Sequence, residues 1–187
     1  MKTKEVNDVV LRFSGDSGDG MQLAGNIFST ISATVGNDIC TFPDYPADIR
    51  APQGVLTGVS GFQVHIGADK VYTPGDKCDV LIAMNLPSLD KYEGEVKAGG
   101  VIFADSTLIE RKVVRDDVTV HYIPATKLAS DNGMPTLANM IIIGKILKEM
   151  GEFDEEMIMA ALKKVISAKR ADMLEINLGA MRLGAQN

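Results

Sequence analysis

The chain is short of the residues that build metal and nucleophile sites: its 187 residues include two cysteines, Cys40 and Cys78, and two histidines, His65 and His121. With no C-x-x-C spacing, the two cysteines can assemble neither an iron–sulfur cluster nor a zinc site. Both read as small buried hydrophobes. The histidines fall in strand-like segments with no Ser, Cys or metal-ligand pattern beside them, so they read as half-exposed strand residues rather than bases. Asp105 and Asp131 are scattered carboxylates without an evident partner. Long apolar runs are missing as well. The run 140–143 stops at Gly144 and Lys145, far short of the ~20 residues that span a bilayer. Residues 1–8 are charged and polar rather than a hydrophobic signal, so a cytoplasmic chain with no membrane partner is expected.

An excess of basic charge is absent too. The formal net charge is −6, and the one basic cluster, Lys163, Lys164, Lys169 and Arg170, lies in a helix-like segment where it reads as a solvated face. Neutralising phosphates needs a basic face, so nucleic acid is not an expected partner. Hydrophobic residues at 45% and charged residues at 24% match globular usage and exclude disordered and fibrous classes. A chain of this length buries roughly 70% of its unfolded surface in one core. Residues 1–187 are therefore read as a single domain.

What is present is an alternation of strand and helix signals. Residues 9–13 read as a short apolar strand interrupted only by Arg12. Leu23, Ala24, Ile27, Phe28 and Ile31 then recur at helical spacing until Gly36. A β-like segment, 39–42, precedes a proline-rich stretch, and 55–66 is β-rich, with Phe62, Val64 and Ile66 alternating against Gln63 and His65 as in a half-exposed strand. Pro74-Gly75 marks a turn. Residues 79–84 form an apolar run of strand length, Pro87 opens a helix to about Lys97, and Gly99-Gly100 should end it. Strands follow at 101–104 and at Val118, Val120 and Tyr122. Helical patterns occupy about 136–150, 155–168 and 171–182. This order predicts an α/β fold with a mostly parallel sheet covered on both faces and a helical C-terminal region.

Between the first strand and helix lies Gly15-Asp16-Ser17-Gly18-Asp19-Gly20, in the context where glycine-rich loops cradle phosphates. The spacing is G-x-x-G-x-G, neither the dinucleotide fingerprint nor a Walker A loop, since Met21 and Gln22 follow. Electrostatics also opposes an anion there. A helix N-terminus favours an anion by ~0.3–1 kcal/mol, whereas a carboxylate about 5 Å from a phosphate charge costs roughly 3 kcal/mol at an effective dielectric of about 20. Asp19 can turn away as the helix N-cap. Three readings stay open: a tight turn with close packing, a surface meeting another protein's cofactor or subunit, and a nucleotide site.

The second irregular stretch is Pro43-Asp44-Tyr45-Pro46-Ala47-Asp48-Ile49-Arg50-Ala51-Pro52, whose three prolines in ten residues rule out regular structure. Loops of this kind beside the carboxyl end of a parallel sheet commonly bind ligands or partners, and Asp44, Tyr45, Asp48 and Arg50 are the candidate contacts. A proline-stiffened surface loop is the alternative.

Residues 12–25, 41–52 and 58–64, with Thr73-Pro74-Gly75-Asp76 and 79–85, resemble the γ domain of 2-oxoacid:ferredoxin oxidoreductases, of the type related to the 2-oxoglutarate enzymes. The likeness extends more loosely over nearly the whole chain. Many free γ subunits carry a loop like G-x-G-G-Q-G; the form here is like that of γ domains fused ahead of an α domain, and Asn187 falls about where such a domain would end. The resemblance implies a Rossmann-like, three-layer α/β/α accessory domain. It implies a complex that oxidatively decarboxylates a 2-oxoacid to acyl-CoA. Thiamine diphosphate, Mg²⁺ and iron–sulfur clusters are then expected on α-type, β-type and ferredoxin-like δ partner subunits, with no catalytic residue, metal or cofactor held by this chain alone. Loop residues Gly15, Asp16, Ser17, Gly18, Asp19 and Gly20 would meet a partner's cofactor or CoA, and Asp44, Tyr45, Asp48 and Arg50 would form an interface. A stand-alone nucleotide- or CoA-binding module is the alternative.

Overall fold

The computed structural model describes residues 8–16, 18–44, 59–151 and 154–187. The elements in chain order are β1 Asp8–Gly15, α1 Met21–Thr34, β2 Asp38–Asp44, β3 Ser60–Gly67, β4 Cys78–Ala83, α2 Leu86–Tyr92, β5 Val96–Asp105, β6 Thr119–Ile123, α3 Ala125–Asp131, α4 Ala138–Glu149, α5 Glu155–Val165 and α6 Met173–Gln186. The six strands form one sheet in the order β2-β3-β1-β4-β5-β6. Its pairs β1–β4, β4–β5 and β5–β6 are parallel, while β3 runs antiparallel to both β1 and β2. The fold is α/β with a mixed sheet, and every strand except β3 points its carboxyl end to the same edge.

Strand periodicity divides the core into two layers. Val9, Leu11 and Phe13 of β1 join Ile82, Phe103 and the apolar faces of α1 and α4–α6 on one side of the sheet. Val10, Leu81, Ile102 and Ala104 face the other side, under Leu89 and Tyr92 of α2 and under Ile109. On the first side α4 and α6 touch through glycines. A β-carbon at Gly144 would overlap the Met181 backbone, and one at Gly184 would overlap the Ile141 backbone.

The helices form where the apolar spacing and caps place them. Asn85 caps α2, its Oδ1 accepting the Ser88 N–H at 2.9 Å, with Pro87 in the first turn. Asp154 caps α5, accepting from Glu156 and Met157. Glu155 and Glu156 in its first turn and Lys163 and Lys164 in its last suit the helix dipole.

Four expectations change. The helix opening at Pro87 stops at Tyr92, and Gly99 and Gly100 lie inside β5 rather than after a helix. They serve a strand irregularity: Gly99 has φ +76°, a β-carbon at Gly100 would stand 2.7 Å from the Asp79 carbonyl, and the β4–β5 register shifts between Cys78 and Val80. β3 is buried on both faces, because it lies inside the sheet and the segment 73–75 covers its polar side. There the Gln63 amide donates to the Pro74 and Gly75 carbonyls, and His65 Nδ1–H donates to Thr73 O at 2.5 Å. Cys78 is buried, whereas Cys40 is half-buried on the edge strand. Finally, α3 follows β6 directly, unannounced by any local cap.

Candidate functional site

The glycine loop leaves the sheet at its carboxyl edge, and β2 ends at that edge with Asp44, so Pro43 and Asp44 belong to the sheet rather than to an irregular stretch. Ser14 of β1 pairs with Gly61 of β3, and Gly61 pairs with Asp44 of β2, so β1 delivers the glycine loop and β2 delivers Asp44 along one line across the sheet. Two interstrand spacings separate them, roughly 10 Å. Tyr45, Asp48 and Arg50 lie outside the described residues, as does Ser17.

Within the glycine loop, Gly20 is the N-cap of α1 with φ 72°, a left-handed conformation that glycine adopts without strain. Asp19 is therefore not the N-cap. Its Oδ2 accepts the Asp16 N–H at 2.7 Å instead, closing the loop on itself, and lies where a β-carbon on Gly15 would be 2.6 Å away. Burial raises the Asp19 carboxyl above its ordinary value; the Asp16 N–H opposes the rise, and the charges of Asp16 and Asp105 add to it.

Asp105 ends β5 at the same edge and is fully buried. Far from lacking partners, it accepts the Thr107 N–H at 2.9 Å, the Thr126 N–H at 3.0 Å and the Thr126 hydroxyl at 2.5 Å. It thus caps the first turn of α3 and ties two strand-end connections together. Asp131 pairs with Lys127 one helical turn away. His121 stacks on Phe103, with centroids 4.8 Å apart. His65 is buried between Thr73 and Asp8.

A cleft of about 390 Å³ opens beside the loop, lined by Gly18, Gly20, Leu23, Leu137, Asn139, Arg170 and Asn177 among others. It lies where α1, α4 and α6 begin. Asn139 reaches the loop through Nδ2, which donates to Gly20 O at 3.4 Å. Asp44, for its part, is bound to the body of the fold: the Tyr92 hydroxyl donates to its Oδ2 at 2.7 Å, and Lys91 Nζ lies 3.5 Å away. Local sequence gave no signal for Asn139, Tyr92 or the paired role of Asp105, because each acts on a residue far along the chain.

The arrangement offers backbone amides, small polar groups and two carboxylates at one edge. Among the described residues no three His, Cys, Asp or Glu side chains converge as a metal site. Cys40 and Cys78 stand on different strands, so the cysteines do not fit an iron–sulfur cluster. No helix among the described residues is long and apolar enough to cross a membrane.

Known proteins share this fold and sequence. The family model for pyruvate ferredoxin/flavodoxin oxidoreductase matches residues 10–187. The 2-oxoglutarate oxidoreductase subunit KorA of Mycobacterium tuberculosis is 48% identical over 103 residues, 55% of this chain and 16% of that protein. The 2-oxoglutarate synthase subunit KorC of Methanocaldococcus jannaschii is 30% identical over 142 residues, 74% of this chain and 73% of the relative. The γ subunit of a keto/oxoacid ferredoxin oxidoreductase from Geobacter sulfurreducens superposes with a TM-score of 0.80 at 24% identity, over 97% of this chain and 96% of its own. A 2-oxoglutarate:ferredoxin oxidoreductase from Magnetococcus marinus, with 2-oxoglutarate, coenzyme A and succinyl-CoA bound, superposes at 0.84 and 24% identity over 97% of this chain but 32% of its own. The chain thus corresponds to one part of its longer relatives and to most of the shorter ones. It belongs to the pyruvate ferredoxin/flavodoxin oxidoreductase family.

Proposed function

We propose that the chain is the γ-type accessory subunit of a thiamine-diphosphate-dependent 2-oxoacid:ferredoxin oxidoreductase. That complex decarboxylates a 2-oxoacid, 2-oxoglutarate being favoured by the named relatives, and delivers acyl-CoA and electrons for ferredoxin. Thiamine diphosphate, Mg²⁺ and the iron–sulfur clusters belong on α-type, β-type and ferredoxin-like δ partners. This chain contributes shape at the active-site entrance rather than reacting groups.

The observation that carries the reading is the shared edge. β1 runs into the glycine loop and β2 ends at Asp44 at the same carboxyl edge, where open α/β sheets commonly receive ligands. On this reading the loop and the cleft beside it meet a partner's cofactor or CoA, and the segment bearing Asp44, Tyr45, Asp48 and Arg50 forms the interface.

Reconstitution tests it. The isolated chain should neither decarboxylate a 2-oxoacid nor reduce ferredoxin, and the complex with α- and β-type partners should do both. Turnover by the purified chain alone would overturn the reading. Titration calorimetry of the lone chain with ATP, NAD(P) and CoA separates the alternative, since micromolar binding would mark a stand-alone module instead.

A further inference from the structure

Arg12 is the single charged residue of the otherwise apolar middle of β1, and its guanidinium is nearly buried. One terminal nitrogen donates to Gln63 Oε1 at 2.5 Å and lies 3.4 Å from Glu95; the other is 4.0 Å from Asp44. Its carbon sits 4.5 Å from the centre of the Tyr92 ring, and Lys91 Nζ lies 4.7 Å from the same centre. Tyr92 is thus a buried aromatic with two cations against its ring.

The Tyr92 hydroxyl is where this packing leads. Tyr92 ends α2, the helix after β4, yet its hydroxyl bonds to Asp44 at the end of β2, three places along the sheet. Gly61 lies between, and a β-carbon there would stand 3.2 Å from the Tyr92 oxygen and 3.4 Å from Cβ of Asp44. A glycine at that position leaves room for the hydroxyl to approach. The hydroxyl, Lys91 and Arg12 all address the same carboxylate oxygen, Oδ2, and the Asp44 side chain remains 38% exposed at the edge. A phenylalanine would fill the same space between α2 and the sheet but could not donate to Asp44.

We infer that Tyr92 is a positioning residue that holds the Asp44 carboxylate in a fixed orientation at the carboxyl edge, where it serves as a preformed acceptor for an N–H donor of a partner subunit. Arg12 packs against the ring, and Gly61 keeps the path open. Preorganisation of this kind strengthens binding by removing the cost of ordering the side chain at the moment of contact. The inference rests on the reading of the chain as an accessory subunit.

The test uses the complex reconstituted with its α- and β-type partners and four forms of this chain: wild type, Tyr92→Phe, Asp44→Asn and the double variant. Affinity for the partner pair is measured by titration, turnover at saturating partner, and stability by denaturant unfolding of each form. Tyr92→Phe is expected to weaken partner affinity about tenfold, with the loss overcome by excess partner. Asp44→Asn should weaken affinity similarly, and the double variant should lose no more than the larger single loss. Wild-type affinity in Tyr92→Phe, or losses that simply add, would overturn the inference. A drop in stability with affinity unchanged would assign Tyr92 a merely structural role and overturn it too. Failure of the wild-type chain to associate with the partners would instead overturn the accessory-subunit reading, so the two failures are told apart.

Discussion

The amide nitrogen of Asn139, at the start of α4, donates to the carbonyl of Gly20, 119 positions earlier, and a β-carbon on Gly20 would overlap that same nitrogen. The glycine loop is therefore fixed from two directions, by its left-handed backbone and by a side chain of the C-terminal helical region. Gly20→Ala should be destabilising on both counts, the backbone conformation alone costing ~1–2 kcal/mol. Denaturant midpoints check it. Adding Asn139→Ala relieves the overlap but not the backbone strain, so the double variant should recover only part of the loss.

The contact between α4 and α6 makes a sharper contrast. Alanine is the better helix former by ~1 kcal/mol, yet Gly144→Ala and Gly184→Ala would each drive a methyl into the facing backbone. Overpacking of this kind costs ~1–3 kcal/mol or more, so both variants should lower the unfolding midpoint. Gly179 on α6 has nothing within 4 Å of its would-be β-carbon. Gly179→Ala should therefore stabilise the protein, and a loss there would contradict the helix orientation.

Asp19 gives a pH dependence with a definite sign. Its carboxyl is raised above the ordinary 3.8 in the fold, first by burial and then by the charges of Asp16 and Asp105, against the Asp16 N–H. The folded state then holds the proton more tightly than the unfolded one, so ionising Asp19 costs stability. That cost is absent below the ordinary value and fully present once pH exceeds the raised one. Asp19→Asn keeps an acceptor for the Asp16 N–H. The variant should be more stable than wild type near pH 7, with the advantage shrinking as pH falls towards 3.8.

The two cysteines should differ in reactivity. Cys78 is fully buried in β4, and burial pushes its thiol up to about 11, whereas Cys40 is half-buried on the edge strand. The thiolate is the reactive form. Under native conditions iodoacetamide should therefore label Cys40 first, with Cys78 labelled only after unfolding, as peptide mass spectrometry would show.

Much of the scaffold was legible in sequence because its signals are local. The apolar strands β1 and β4, the helix spacing of α1 and the three C-terminal helices each follow from neighbours a few residues apart. The errors share one cause. Gly99 and Gly100 looked like a helix stop because two glycines end a helix or bend a strand equally well, and only pairing with β4 decides between them. No local cap announces the short α3, because the group that caps it, Asp105, comes from the end of β5, 21 positions before Thr126. Gln63 and His65 read as solvent-facing because their alternation is polar, yet the segment 73–75 folds over them and accepts their hydrogen bonds.

The sequence by itself determined that a strand, a glycine loop and a helix follow one another at residues 8–34, since apolar periodicity and glycine's access to positive φ are properties of the chain nearby. Only the tertiary structure decided what that loop faces. The antiparallel β3 carries the chain back so that β2 points the same way as β1, which puts Asp44 and the glycine loop on one edge. Burial, with the charges of Asp16 and Asp105, raises the Asp19 carboxyl, and Tyr92 reaches Asp44 across 48 positions. Desolvation and charge fall off with distance in space, and strand order rather than sequence separation fixes that distance.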